Sequence, residues 1–206
     1  MNIERRITAF ASLGDFVLKN PVSLQEIVNK TFIYNTWFTI DNINQALQNI
    51  AIEFLNKEKL ENWISGYGSK ITIHDTKTIA IVAAGNIPMV AFHDILCIIA
   101  SGNTCQLKLS EKDQVLYHWL HESLKLIDLE IAQKISIVEK LTNYDAVIAT
   151  GSSSSSNLFQ SYFKHVPHII RSHRNAIAVL DGSEDELDFV NIGKDIFQYY
   201  GLGCRN

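Results

Sequence analysis

Cysteine is scarce in this chain: three residues in 206, Cys97, Cys105 and Cys204, with no CxxC pair. An odd, widely spaced set argues against a disulfide scaffold and for a reducing compartment. The cysteines and histidines do not have the spacing of a zinc site. His165, His168 and His173 form a loose group that reads as surface or structural side chains. Long apolar runs are also missing. Runs such as Ile95-Leu96-Cys97-Ile98-Ile99-Ala100 are too short to span a bilayer. The first residues, Met1-Asn2-Ile3-Glu4-Arg5-Arg6, lead into an amphipathic run and not a signal-peptide core. These absences favour the cytoplasm. Lysine and arginine are scattered, and the formal net charge of −4 gives no pull toward nucleic acid or anionic membrane. There is no GxGxxG, no GxxxxGK[ST] and no GxSxG, so neither a standard dinucleotide fingerprint, nor a P-loop, nor a serine-hydrolase elbow is supported.

What is present describes a globular chain, 47% hydrophobic and 19% charged, long enough for one sizeable core or two small ones. Residues 1–66 read as helices. Ile3, Ile7, Phe10, Ala11, Phe16 and Leu18 recur at near-helical spacing. Asn20-Pro21 breaks that helix, Ser23 is placed to cap the next over 24–30, and Asp41 opens a third with Ile43, Leu47, Ile50, Phe54 and Leu55 on one face. After the loop Gly66-Tyr67-Gly68-Ser69 the pattern changes to β-branched runs. Strands are predicted over 71–73, 78–83, 104–109, 135–138, 146–149 and 177–180. Helices are predicted over 88–100, 111–127, 152–164 and 184–199, the second of them capped by Ser110 and favoured by Glu111 and Asp113 at its N-terminus. This alternation predicts an α/β fold, a helical N-terminal segment (1–66) followed by a doubly wound, Rossmann-like, mostly parallel sheet (67–206). Ligands of such sheets bind beyond the carboxyl ends of the strands, where Asn86, Ser110 and Gly151 fall.

Four short motifs carry chemistry, each beside a plainer reading. In Ala83-Ala84-Gly85-Asn86-Ile87-Pro88, glycine permits a tight strand-to-helix turn and Asn86 can present its amide beyond the sheet edge; a loop asparagine bonding its own backbone is the alternative. Lys108 ends a strand just before Ser110 and Glu111, and lysine and glutamate there can hydrogen-bond ribose hydroxyls; an exposed lysine beside a helix cap explains them equally. Thr150-Gly151-Ser152 follows the apolar run Ala146-Val147-Ile148-Ala149. Gly151 lets a phosphate approach the backbone, and the Ser152 hydroxyl with a helix N-terminus supplies donors; this fits better than a polar linker. Cys204 lies between Gly203 and Arg205. A buried inert thiol is the usual state of cysteine, but glycine argues for exposure and a nearby cation favours thiolate.

Taken in order from about Ile71 onward, these motifs resemble the aldehyde dehydrogenase superfamily, and within it the acyl-CoA reductases related to the fatty acyl reductase of bacterial bioluminescence. Gly85-Asn86-Ile87-Pro88 matches that family's oxyanion turn. Gly102-Asn103-Thr104 through Lys108-Leu109-Ser110-Glu111 matches its adenosine-binding strand and helix start. Thr150-Gly151-Ser152 matches its pyrophosphate turn, and Gly203-Cys204 its nucleophile. The resemblance implies NADPH or NADH as cofactor, held by Lys108, Ser110, Glu111, Gly151 and Ser152, with Cys204 and Asn86 as the catalytic pair. It implies an acyl-CoA or acyl-protein thioester as substrate and a homo-oligomeric full-length protein. It further implies a catalytic and oligomerisation domain beyond Asn206, without which these residues would have weak activity or none.

One departure bears on the reaction. Hydrolytic aldehyde dehydrogenases carry a water-activating glutamate in a Glu-Leu-Gly-Gly segment. The corresponding stretch here, His168-Ile169-Ile170-Arg171-Ser172-His173-Arg174-Asn175, has no acid. A thioester acyl-enzyme would then hydrolyse slowly, and exchange with a thiol such as coenzyme A becomes its natural partner reaction. The resemblance thus implies reduction of a long-chain acyl-CoA to the aldehyde. A hydrolytic NAD-dependent dehydrogenase and a non-catalytic nucleotide-binding module are the alternatives.

Overall fold

The computed structural model describes residues 2–71, 75–172 and 177–202. Helix α1 (Ile3–Lys19) is capped by the Asn2 side chain, which accepts the Arg5 N–H, and stops at Asn20 in a left-handed conformation. Helix α2 (Val22–Tyr34) starts immediately after Pro21, so Ser23 lies inside its first turn and is not the cap expected of it. Proline serves that entry because its φ is preset and it has no N–H to leave unsatisfied. Helix α3 (Ile40–Asn49), capped by Thr39, runs into a π-helical turn over Ile50–Phe54. A separate helix α4 (Lys57–Ser65) follows, capped by Asn56.

Five strands form one fully parallel sheet: β1 (Thr78–Val82), β2 (Thr104–Lys108), β3 (Ile135–Ile137), β4 (Ala146–Thr150) and β5 (His168–Arg171), in the order β3-β2-β1-β4-β5. Connecting them are α5 (Phe92–Ala100), α6 (Val115–Ile127), α7 (Leu129–Ala132) and α8 (Ser153–Phe163), with α9 (Glu186–Phe197) after the sheet. The α/β, doubly wound expectation holds. The chain travels from β1 outward to β3, then returns to the other side of β1 with β4 and β5. Right-handed crossovers therefore place α5, α6 and α7 on one face and α8 on the other.

Strand alternation sorts the side chains accordingly. Ile81, Cys105, Leu107 and Ile135 point into the main core, shared with Phe10 and Leu13 of α1, Val28 of α2, Ile43 of α3 and Ile95 and Ile99 of α5. Ala80, Val147 and Ala149 form a smaller second core with Phe163 of α8. Buried Arg6 of α1 hydrogen-bonds the carbonyls of Ile99 and Ala100, satisfying the C-terminal end of α5.

Several expectations change. The helix predicted from Pro88 begins at Phe92, because Met89 has a left-handed φ of 55° that no helix accommodates. The helix predicted from Glu111 begins at Val115 with Gln114 at its cap, so Ser110 is not a helix cap. Asp113 turns inward there instead, its N–H closing a turn on the Ser110 carbonyl at 3.2 Å. β5, with His168 and Arg171 at its ends, was too short and polar to read as a strand. Residues 177–180 pair with no strand among the described residues; Ile177 and Val179 are 88% and 85% exposed. Of the strand predicted over 71–73, Ile71 closes a 3-10 turn, while Thr72 and Ile73 lie outside the described residues. Among the described residues no helix is long and apolar enough to cross a membrane.

Candidate active site

Strand order reverses between β1 and β4, and the turns leaving their carboxyl ends lie at the position where doubly wound sheets take ligands. Both turns carry a glycine in close contact. A Cβ on Gly85 would lie 2.3 Å from Ser110 Oγ and 2.7 Å from Ser110 Cβ. A Cβ on Gly151 would meet Ser155 Cβ at 2.9 Å and Phe159 at 3.0 Å. The first glycine brings the loop after β1 onto the loop after β2; the second brings the β4 turn onto the first turn of α8. Ser152 caps α8, its hydroxyl accepting the Ser155 N–H.

On the α8 face, a cavity of about 560 Å³ opens between α8 and the loop after β3. Val82 and Lys108 at the ends of β1 and β2 line it, with Leu141, Tyr144, Phe159 and Tyr162. Gln106 points to this face and clamps the loop: its amide donates to the Thr142 carbonyl at 2.6 Å and accepts the Thr142 N–H at 3.0 Å. Lys108 Nζ donates to the Glu139 carbonyl at 3.1 Å. An apolar cleft with aromatic walls and a lysine at its mouth suits a flat aromatic ring.

A second cavity, about 570 Å³, lies by the loop after β1. Asn86, Glu111, Lys112, Trp37 and Leu202 line it. The Asn86 side-chain N–H donates to the Leu202 carbonyl, and Asn86 Oδ1 is buried without a partner among the described residues. Trp37 meets the Tyr200 ring edge to face at 5.6 Å. Tyr199 and Tyr200 both have positive φ, 52° and 58°, a cost borne where the surroundings over-determine the backbone. Asn86 and Trp37 thus both touch the segment leading to Cys204. Cys204 itself, with Gly203, Arg205 and Asn206, lies outside the described residues, as do His173, Arg174 and Asn175 of the segment without an acid.

Under the Asn86 turn lies a buried acid. Asp113 is 1% exposed; its Oδ2 accepts the Met89 N–H at 2.6 Å, and Oδ1 has no partner among the described residues. The Tyr117 hydroxyl accepts the Ala91 N–H at 2.8 Å. Burial pushes the Asp113 carboxyl up to about 7, partly opposed by the Met89 hydrogen bond. On the far side of α5, buried Asp94 accepts two hydrogen bonds from Arg171 Nη1, at 2.8 and 2.6 Å, tying α5 to the end of β5. Burial also pushes the Cys97 thiol up to about 11 and the Cys105 thiol higher still, which disfavours the thiolate at both.

The residues singled out from sequence fall into two groups. Lys108 borders the α8 cavity. Glu111 borders the Asn86 cavity. Ser110 lies packed on Gly85, its Oγ accepting the Lys112 N–H at 3.3 Å. Asp113 was read only as an acid suited to a helix start. Its place on the stripe of Leu116, Tyr117, Leu120 and Leu124, all buried, is the signal that marks it as inward-facing. Tyr144 and the α8 aromatics were also missed; Phe159, Tyr162 and Phe163 share one helix face by their spacing.

Solved structures similar to this chain are aldehyde dehydrogenases. Aldehyde dehydrogenase 21 from Physcomitrella patens, in complex with the reaction product succinate, aligns with a TM-score of 0.75 at 12% identity, over 99% of this chain and 47% of its own. The propionaldehyde dehydrogenase of a Clostridium phytofermentans fucose-utilisation microcompartment aligns at 0.70 and 10% identity, over 99% and 50%. Succinic semialdehyde dehydrogenase from Streptococcus pyogenes, in complex with NADP+ as the cofactor, aligns at 0.70 and 12%, over 98% and 48%. The chain therefore has the fold of about half of each of these enzymes. No curated protein sequence matches it. The family model for acyl-CoA reductase (LuxC) matches residues 19–205, and the chain belongs to that family.

Proposed function

We propose that this chain is the cofactor-binding and nucleophile-bearing part of an NAD(P)H-dependent reductase, which converts a long-chain acyl-CoA or acyl-protein thioester to the fatty aldehyde. Residues 67–206 form its cofactor-binding domain and 1–66 a helical segment packed on it. The full-length protein works as a homo-oligomer in the cytoplasm. The observation that carries this reading is the hydrogen bond from Asn86 to the Leu202 carbonyl, which brings the turn after β1 against the segment two residues ahead of Cys204.

In the proposed reaction the Cys204 thiolate attacks the thioester carbonyl carbon. The carbonyl electron pair moves to oxygen, and collapse of the tetrahedral adduct expels coenzyme A as its thiolate, leaving an acyl-enzyme. Asn86 donates its remaining amide N–H to the oxyanion, together with the Cys204 backbone N–H. The residues that would hold the cofactor are those of the α8 cavity with Lys108 for its adenosine end, and Gly151 and Ser152 at the start of α8 for its pyrophosphate. The bound reduced nicotinamide supplies the hydride that takes the acyl-enzyme to aldehyde and returns the thiolate. Solved relatives in complex with NADP+ and with NAD+ support a nicotinamide cofactor. The acid-free stretch from His168 to Asn175 favours reduction over hydrolysis.

Intact-mass spectrometry with peptide mapping, on full-length protein mixed with a long-chain acyl-CoA and no reductant, tests this reading. An acyl adduct on Cys204 is expected, disappearing when reduced cofactor is added as aldehyde forms. An unmodified Cys204 that also resists alkylation would leave a nucleotide-binding module as the better account. Asn86→Ala is expected to lower turnover by about 10²–10³-fold while sparing cofactor binding.

A further inference from the structure

The turn between β1 and α5 has little helical or strand structure of its own to hold it. It leaves the sheet at Ala83, whose N–H donates to the Lys108 carbonyl at 3.0 Å, and does not become helix until Phe92. No side chain within the turn caps α5. Met89, buried, occupies a left-handed φ of 55°, a conformation costly for any residue with a Cβ. Two side chains from the start of α6 take up its N–H groups: the Asp113 carboxylate takes that of Met89, and the Tyr117 hydroxyl that of Ala91. Both are almost wholly buried, and Tyr117 is the titratable group that faces Asp113.

We infer that Asp113 is a positioning residue for Asn86: by holding the Met89 N–H it selects the one conformation of this turn in which the Asn86 amide meets the segment before Cys204. The inference rests on the oxyanion role proposed for Asn86. Four observations converge on it. The Asp113 side chain hydrogen-bonds the Met89 amide, and Met89 is not among the residues proposed to bind substrate or cofactor. Its bond is to the backbone amide three residues beyond Asn86. The conformation it holds puts Met89 at a φ of 55°, which is costly for a residue with a Cβ. One of its carboxylate oxygens is buried without a partner among the described residues. A displacement of the order of 1 Å at such a donor costs about 10²-fold in rate.

The test compares Asp113→Ala, Asp113→Asn, Asn86→Ala and the Asp113→Ala/Asn86→Ala double variant in the full-length protein, by steady-state kinetics with a long-chain acyl-CoA and by fluorescence titration of reduced cofactor. Asp113→Ala should lower kcat by about 10- to 100-fold with KM and cofactor affinity nearly unchanged. Asp113→Asn keeps an oxygen for the Met89 N–H and should recover most of kcat. The double variant should be no slower than Asn86→Ala, since both changes remove the same donor. An unchanged kcat in Asp113→Ala, a failure of Asp113→Asn to recover it, or losses that multiply in the double variant would overturn the inference while leaving the oxyanion role intact. Wild-type turnover in Asn86→Ala would overturn both. If Asp113→Ala does not fold, Tyr117→Phe decides: it removes only the oxygen that accepts the Ala91 N–H, and should lower kcat without moving KM, an unchanged kcat counting against the inference.

Discussion

On one face of the sheet, α1, α5 and α6 close over Ile81, Leu107 and Ile135 to form a core that reaches from Phe10 to Leu124. On the other, α8 and the loop after β3, through Phe163, Leu141 and Tyr144, cover Ala80, Val147 and Ala149, and the ends of β1 and β2 are left beside an open cleft with Gln106 and Lys108 on its side of the sheet. Both faces come from the same parallel strands. What differs is how many helices each receives: of the four connections between the parallel strands, two bring α5 and α6–α7 to one side, while α8 and the helix-free connection from β3 to β4 lie on the other. The crowded face carries stability, and the thinly covered face is left with concave surface for a ligand.

The strongest way to break this comparison is to exchange comparable side chains across it. Phe10 is 1% exposed and packs edge to face on Phe92 at 6.4 Å. Phe10→Ala is expected to cost about 3–5 kcal/mol in urea unfolding. Phe159, half-buried on α8 at the edge of the open cleft, should cost about 1–2 kcal/mol on the same change and should weaken cofactor binding, which Phe10→Ala leaves alone. Equal stability losses would show that α8 closes its face as tightly as α1 closes the other.

A second contrast is electrostatic. The crowded face hides Asp113, whose carboxyl is raised to about 7 by burial. An acid with a raised folded-state value holds its proton more tightly folded than unfolded. Its contribution to stability is therefore fullest below about pH 4, falls as pH rises toward about 7, and is level above that. The change across the window is on the order of 4 kcal/mol. Asp113→Asn should abolish that slope. Half-buried Asp128, lowered mainly by its hydrogen bond from Arg5, works in the opposite direction at lower pH and is unaltered in the variant. Unfolding curves for the two proteins between pH 4 and 8 check this; parallel curves would place the Asp113 charge in contact with water.

Most of the architecture is legible because its signals are local. β-branched runs, glycine turns and amphipathic helices each span a few residues, and their alternation implies the parallel sheet. The failures are long-range. β5 becomes a strand because β4 offers it a free edge, not because His168-Ile169-Ile170-Arg171 has strand character of its own. The apolar residues 177–180 look like a strand and find no partner among the described residues. In the candidate site, the turns that carry Asn86, Gly151 and Ser152 are readable from turn chemistry. Asp113 is harder to read, because an acid before a helix has an ordinary surface explanation; its spacing to Leu116, Tyr117, Leu120 and Leu124 hints that it faces inward, and the tertiary contact shows that its partner is the Met89 N–H. Lys108 and Glu111 are three residues apart in sequence yet border different cavities, since the turn at Ser110 lies between them.

That separation yields the smallest effect and the finest test of which cavity takes the cofactor. Lys108 Nζ makes one exposed bond, to the Glu139 carbonyl, so Lys108→Ala should shift the unfolding midpoint very little. If the ribose hydroxyls of the cofactor lie at the end of β2, the same change should weaken binding of reduced cofactor about tenfold, roughly 1.4 kcal/mol, in a fluorescence titration. Glu111→Ala, on the neighbouring cavity, should then weaken it less. The reverse order would move the ribose to the Asn86 side of the β2 turn. It would also mean that the aromatic cleft on the thinly covered face, bordered by Tyr144, Phe159 and Tyr162, receives something other than the adenosine end of the cofactor.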